Sequence, residues 1–346
     1  MEIGSEFWIE QDYVVDQAEQ FYLSGRAALN AIILDAKKRY GMKQVLLPSY
    51  CCDSMIIPFV KNSVRVRFYD VKLNSERKIS VEIPKAEENE ALFLMHYFGA
   101  RIDDFKIHSN TSDWSVVIVD GTHSFFSNLF FEKDPDYYFV SFRKWFGVTG
   151  IAMAKTRDGN LPTLDKSNAE YVRLRNEAFG EKLRFINGEQ SDKETFLNKF
   201  SQAESILDED CSCYLPDVKD YRRLQNNFLH RDVMLSERKA NARALINGLC
   251  DIEQLSVIVD FDFDNDCPMF VPVVETTGRR NELRKHLIDN AIYCPVHWPL
   301  SSYHKELDDS LDEIYNGELS LVCDQRYTVE DMNRIIDCIK QFYLDN

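Results

Sequence analysis

Positive charge is in short supply in this chain: 41 lysines and arginines stand against 57 aspartates and glutamates, a formal net charge of -16 over 346 residues. Nucleic acid and anionic membranes both require a broadly basic face, so we expect general binding to neither. A local basic pocket for a phosphate stays open. Long apolar runs are missing too. None approaches the roughly 18 residues of a membrane helix, and the N-terminal "MEIGSEFWIEQDY" has no apolar core, so it does not read as a signal peptide. Paired cysteine motifs are also lacking: nine cysteines, odd in number and scattered, contain no CxxC. A zinc site is therefore unsupported, and free thiols in a reducing cytosol fit better than a disulfide framework. We expect no metal and a cytoplasmic location. Repeats and low-complexity tracts are absent.

What is present is an alternation. "AALNAIILDAKKRYG" carries apolar residues at helical spacing and stops at a glycine, and "KQVLLP" follows as a short strand halted by Pro48. "CDSMIIPFVKNS" reads as a helix, "VRVRFYDV" as a strand, "EALFLMHYFG" as a buried strand, "RIDDFKIHSNT" as a helix and "WSVVIVDGTH" as another buried strand. "YYFVSF" and "GIAMAK" complete the set. Strands alternating with helices imply βαβ units and a mainly parallel sheet, whose active site lies beyond the carboxyl ends of the strands. From about residue 166 to 248 the chain is polar and helix-periodic; short strands and two more helices follow. This predicts a large domain over 1–235 and a smaller C-terminal α/β domain over 236–346.

Three strand or helix ends carry chemistry. "SGRAAL" opens a helix with Gly25, Arg26 and Ala27, and the free N–H groups of a helix start suit a phosphate. "VVIVDGTH" ends a buried strand on Asp120, with His123 three residues on. "SFRKWFGVTG" supplies Ser141 and Lys144 between two apolar runs. Singly, each is more often an ordinary helix start, a capping Asp and a surface lysine. Together and in order they match what pyridoxal phosphate needs: a phosphate cradle, an acid for the pyridinium nitrogen and a lysine for the imine.

With "VLLPSYCCDS", "VRFYDV" and "CPVHWPL" added, the chain resembles the fold-type I pyridoxal-phosphate enzymes over nearly its whole length. It is most similar to the DegT/StrS-type sugar aminotransferases. The resemblance implies a three-layer α/β/α large domain with a mostly parallel seven-stranded sheet, a small C-terminal domain, and a homodimer with active sites at the interface. It implies that Lys144 is the Schiff-base lysine and general base, that Asp120 bonds the ring nitrogen, and that His123 contacts the cofactor's 3-oxygen. Gly25, Arg26 and Ala27 correspond to the phosphate loop, with Ser141 nearby. The implied reaction moves an amino group from an amino acid, such as glutamate, to a keto-sugar or similar carbonyl acceptor in polysaccharide or secondary metabolism.

The chain departs from that pattern at several points. Its serine lies three residues before the lysine rather than five, and Phe146 stands at serine plus five. The stacking aromatic aligns with Cys52, which leaves Tyr50, Tyr97 or His96 to stack. "YRRLQNNF" stands where the family carries an Asn/Tyr-rich segment that crosses the dimer. Two other readings follow: a non-catalytic or regulatory homologue, or another pyridoxal reaction. "DFDFDND" lacks the Gly and Glu spacing of a calcium loop and reads as a solvated turn. His297 and Trp298 read as packing of the small domain, although the resemblance would put "HWPL" near the substrate mouth, and Arg326 reads as a surface arginine with binding of a substrate carboxylate as the alternative.

Overall fold

The alternation becomes a layered α/β structure. The computed structural model describes residues 3–4, 20–127, 135–189, 192–304 and 311–344; most of the N-terminal stretch discussed above lies outside them. In chain order, the first part contains β1 (Ile3–Gly4), β2 (Phe21–Tyr22), α1 (Gly25–Tyr40), β3 (Gln44–Pro48), α2 (Asp53–Lys61) and β4 (Arg65–Leu73). Then come β5 (Ile79–Ile83), β6 (Glu90–Met95), β7 (Asp104–Ile107), β8 (Val116–Asp120), β9 (Tyr137–Ser141) and β10 (Ala152–Thr156). The polar middle forms α3 (Ala169–Ile186), α4 (Lys193–Glu209), α5 (Val218–Leu229) and α6 (Arg231–Leu249). The rest is β11 (Leu255–Val257), β12 (Val271–Glu275), α7 (Arg280–Asp289), β13 (Ile292–Tyr293), α8 (Asp312–Gly317), β14 (Glu318–Leu321) and α9 (Val329–Leu344).

The main sheet runs in the order β2-β10-β9-β8-β6-β3-β4-β5-β7. Its centre, from β9 to β4, is parallel, and β10 runs antiparallel to both of its neighbours. β3, β6 and β8 are buried at every position, as their unbroken apolar runs predict for strands covered on both faces. The sheet has nine strands among the described residues, not seven. The run β2 to β4 supplies seven, and β5 and β7 extend it at one edge. β7 falls in "RIDDFKIHSNT", which we expected to be helical. Its residues bond in register to β5, from Ser80 with Asp104 to Ile83 with Ile107. The open edge of β5 offers backbone partners that local periodicity does not reveal.

Local signals set α1. Ser24 caps it by accepting from the Ala27 N–H at 3.1 Å, and Gly41 ends it in the left-handed region at φ 65°. Lys37, Lys38 and Arg39 in the last turn complement the helix dipole. Gly99, at φ 86°, closes the turn after β6, where an added Cβ would sit 1.9 Å from the Cys267 carbonyl oxygen.

A second, three-stranded antiparallel sheet, β11-β12-β14, has its own core with α6, α7 and α9, built from Leu245, Val273, Leu283, Leu321 and Ile335. Residue 235 lies inside α6, whose later residues Ala242, Leu245 and Leu249 join this second core. The 260–266 acidic run forms a hydrogen-bonded turn, with Asp262 accepting from the Asp264 N–H at 3.1 Å.

Candidate active site

Parallel pairing of β8 with β9 sets Asp120 opposite Phe139, so the last residue of one strand and the residues after the other share one sheet edge. After Ser141 the chain makes a short 3-10 turn, Phe142–Lys144, before returning as β10. The rings on either side of Arg143 and Lys144 are anchored: Phe142 and Trp145 are buried, and the Trp145 indole donates to the Thr122 carbonyl at 2.6 Å. The basic pair thus emerges between two fixed aromatics and is no ordinary solvated turn. Thr122 also accepts from the Ser141 N–H through Oγ1 at 3.1 Å and donates its own N–H to Asp120 Oδ1 at 2.7 Å. It ties the two strand ends together, a role that nothing in its sequence context signalled.

Six of the seven expected residues, Gly25, Arg26, Asp120, His123, Ser141 and Lys144, line one cavity of about 230 Å³. Ala27 is buried behind it and gives its N–H to Ser24. Gly25 touches the end of β9: a Cβ there would lie 3.1 Å from Ser141 Cβ and 3.6 Å from its Oγ. Its bare backbone leaves the helix start open toward the serine.

Burial pushes the Asp120 carboxyl up to about 6, against the opposing bonds from Thr122 and the charge of Lys144. Burial, with Lys144, lowers His123 to about 3, so its ring is neutral. His123 Nδ1 faces the Phe98 N–H at 3.3 Å and accepts from it, which puts the ring proton on Nε2.

The structure corrects several expectations. Arg26 does not present an uncommitted guanidinium to the cavity. It pairs with Glu204 at 3.3 Å and Asp208 at 2.7 Å, both from α4. Its Nε is nevertheless buried without a hydrogen-bond partner among the described residues. Tyr50, Tyr97 and His96 do not line the cavity. The two tyrosines are fully buried and bonded to each other through the Tyr97 hydroxyl and the Tyr50 carbonyl at 2.8 Å, and His96 accepts from the Ile102 N–H. Trp298 and Phe139 are the aromatics that line the cavity instead, with the Trp298 ring 5.5 Å from that of His123, alongside Cys52. His297 is not mere packing of the small domain. It lines a second cavity of about 430 Å³ that shares Arg143 and Lys144 with the first. Arg326 lines that cavity too. Its side chain is 7% exposed and pairs with Asp324 at 2.8 Å, so it is not a solvated surface arginine. Arg238 and Arg284 add to the basic lining. These residues come from segments 90 or more positions after Lys144, where sequence spacing carries no signal of contact. Among the described residues, no group of three or more His, Cys, Asp or Glu side chains is arranged to hold a metal, and no helix is long and apolar enough to cross a membrane.

No protein-family model matches the chain, and comparison with curated protein sequences finds no match. Comparison with solved structures does. DesV of S. venezuelae, solved with a ketimine intermediate, superposes with a TM-score of 0.60 at 16% identity, covering 93% of this chain and 84% of that one. The putative sugar aminotransferase Spr1654 of Streptococcus pneumoniae, in its PLP form, gives 0.60 at 15% identity, covering 93% and 86%. A DegT DnrJ EryC1 StrS aminotransferase of Brucella abortus gives 0.58 at 13% identity, covering 94% and 86%. At these identities the likeness is one of fold: this chain has the fold of the sugar aminotransferases, over nearly its whole described length.

Proposed function

We propose that this protein is a pyridoxal-phosphate-dependent aminotransferase that passes an amino group from an amino acid to a keto-sugar or similar carbonyl acceptor. The observation that carries the reading is the meeting of Lys144, Asp120 and Gly25 on one cavity, from a strand end, its parallel neighbour and a helix start. Solved proteins of the same fold, in PLP and PMP forms, support it. A NifS-like protein shares the fold as well, at a TM-score of 0.54, so the argument rests on the site rather than on the architecture.

The residues fit the cofactor on three counts. Gly25 leaves a cradle that a Cβ would fill, Arg26 Nε is a buried donor without a partner among the described residues, and Asp120 is a buried carboxyl on the same cavity. When bound, pyridoxal phosphate supplies an electron sink for bonds at the substrate's α-carbon. Asp120 holds a proton at the ring nitrogen. His123 Nε2–H donates to the 3-oxygen. The start of α1 and Ser141 take the phosphate, with Arg26 adding charge. Lys144 would hold the cofactor through its Nζ and, as a neutral amine, would take and return the proton at the substrate's α-carbon. The second cavity, with Arg238, Arg284 and Arg326, takes the anionic part of the substrates.

We take the chain to act as a cytoplasmic homodimer, with a large domain over 1–235 and a small one over 236–346. The test is direct. Protein purified with pyridoxal phosphate should show a visible absorption band, fixed by borohydride in wild type and not in Lys144→Ala. Amino acids and keto-sugars added singly should shift that band if they are donor and acceptor. A protein that shows neither band nor trapping is not an aminotransferase.

A further inference from the structure

His297 stands where the small domain meets the cavity that Lys144 lines, and one side of its ring is fixed. Nδ1 lies 2.8 Å from Ser320 Oγ, and Ser320 Oγ lies 2.5 Å from Glu318 Oε1. The other oxygen of Glu318 accepts from the His297 backbone N–H at 2.6 Å. Glu318 and Ser320 are two apart on β14 and both are fully buried, so they share one face of the strand. With Nδ1 committed to Ser320, Nε2 is the ring nitrogen left for another partner.

A serine hydroxyl has a single proton to give. If Glu318 is ionised, Ser320 must donate to it and accept from His297 Nδ1–H, leaving Nε2 a bare acceptor. If Glu318 holds a proton, the direction reverses along the row, and the ring proton sits on Nε2. Burial pushes the Glu318 carboxyl up to about 8, against the bonds from Ser320 and the His297 N–H and the charge of Arg280. Arg280 donates to the Glu318 backbone oxygen at 3.0 Å. Tyr50 and Cys294 are the other titratable neighbours of Glu318, and His123 and Lys144 those of His297. Burial, His123 and Lys144 keep the His297 ring neutral, so the choice is between tautomers.

We propose that Glu318 and Ser320 form a proton-ordering relay that holds His297 as an Nε2–H donor, and that this N–H binds a carbonyl or carboxylate oxygen of the substrate beside Lys144. Glu318 and Ser320 are positioning residues. The relay stands independently of the proposed function; the substrate contact rests on it.

The tautomer is read by long-range nitrogen–proton NMR of protein labelled with 15N-histidine, with the His297 signals assigned from His297→Asn. In wild type, Nε2 should carry the proton at pH 7 and pass it to Nδ1 above pH 8. Glu318→Gln should keep Nε2–H throughout, because its amide donates to Ser320 while its oxygen still accepts the backbone N–H. Ser320→Ala should lose the pH dependence, and Ser320→Thr should restore it, which separates the relay from any loss of fold. A wild-type ring protonated on Nδ1 at pH 7, or a Ser320→Ala ring that still switches, overturns the relay. In stopped-flow half-reactions, Ser320→Ala should raise the acceptor KM about tenfold with kcat within twofold. An unchanged acceptor KM, or no transamination in wild type, overturns the substrate contact, and the NMR result still decides the relay.

Discussion

Glu204 grips Arg143 with both carboxylate oxygens, Nη2 to Oε2 at 3.0 Å and Nη1 to Oε1, and the same carboxylate takes Arg26 at 3.3 Å. Arg175 approaches it at 3.9 Å. An acidic residue from α4 therefore sits on the cavity that the sequence assigned to an anion. Burial alone would raise its carboxyl, but Arg143, Arg26 and Arg175 outweigh that and hold it at about 2.

Glu204→Gln should lower stability at neutral pH by about 1–3 kcal/mol, at the smaller end because the side chain is partly exposed. A depressed carboxyl stabilises the fold above its ordinary value of 4.5 and loses that contribution as pH falls toward 2. The gap between wild type and variant in denaturant unfolding should thus narrow over that range. The variant should also bind inorganic phosphate several-fold more tightly, since Arg26 and Arg143 lose an internal anion. Unchanged affinity would separate Glu204 from the phosphate site.

Arg26→Ala should weaken cofactor binding and also lower stability without cofactor, because its removal strips a partner from Glu204 and Asp208. Equilibrium titration and chemical denaturation measure the two separately.

Asp120 gives a pH signature. Its carboxyl is raised to about 6 by burial, so cofactor affinity should climb as pH rises through 6 and the carboxylate forms opposite the ring nitrogen. Asp120→Asn should remove that step and cost about 1.5–3 kcal/mol in turnover, ten- to a hundredfold, the worth of a charge-assisted bond. A pH-independent affinity in wild type would count against this pairing.

Gly25→Ala tests the cradle. The new methyl meets Ser141 at 3.1 Å, so stability should change by less than about 1 kcal/mol while cofactor affinity falls by an order of magnitude. Equal losses in both would make Gly25 a packing residue only.

Much of this was legible in order along the chain. β3, β6 and β8 announce themselves because strands covered on both faces need unbroken apolar runs. Asp120, Ser141 and Lys144 stand at strand ends because a parallel sheet gathers its chemistry there. What the sequence could not carry was every contact between distant segments. β7 became a strand because β5 left an edge unpaired, and Trp298 rather than Tyr50 or Tyr97 reached the cavity because the chain folds back over the 178 positions that separate it from Asp120. Glu204 met Arg26 and Arg143 because α4 packs its polar face over the site. Local propensity and periodicity act over a few residues, so they set the elements and the strand ends; the pairing of charges and the direction of a buried proton depend on distances that only the folded chain brings within reach.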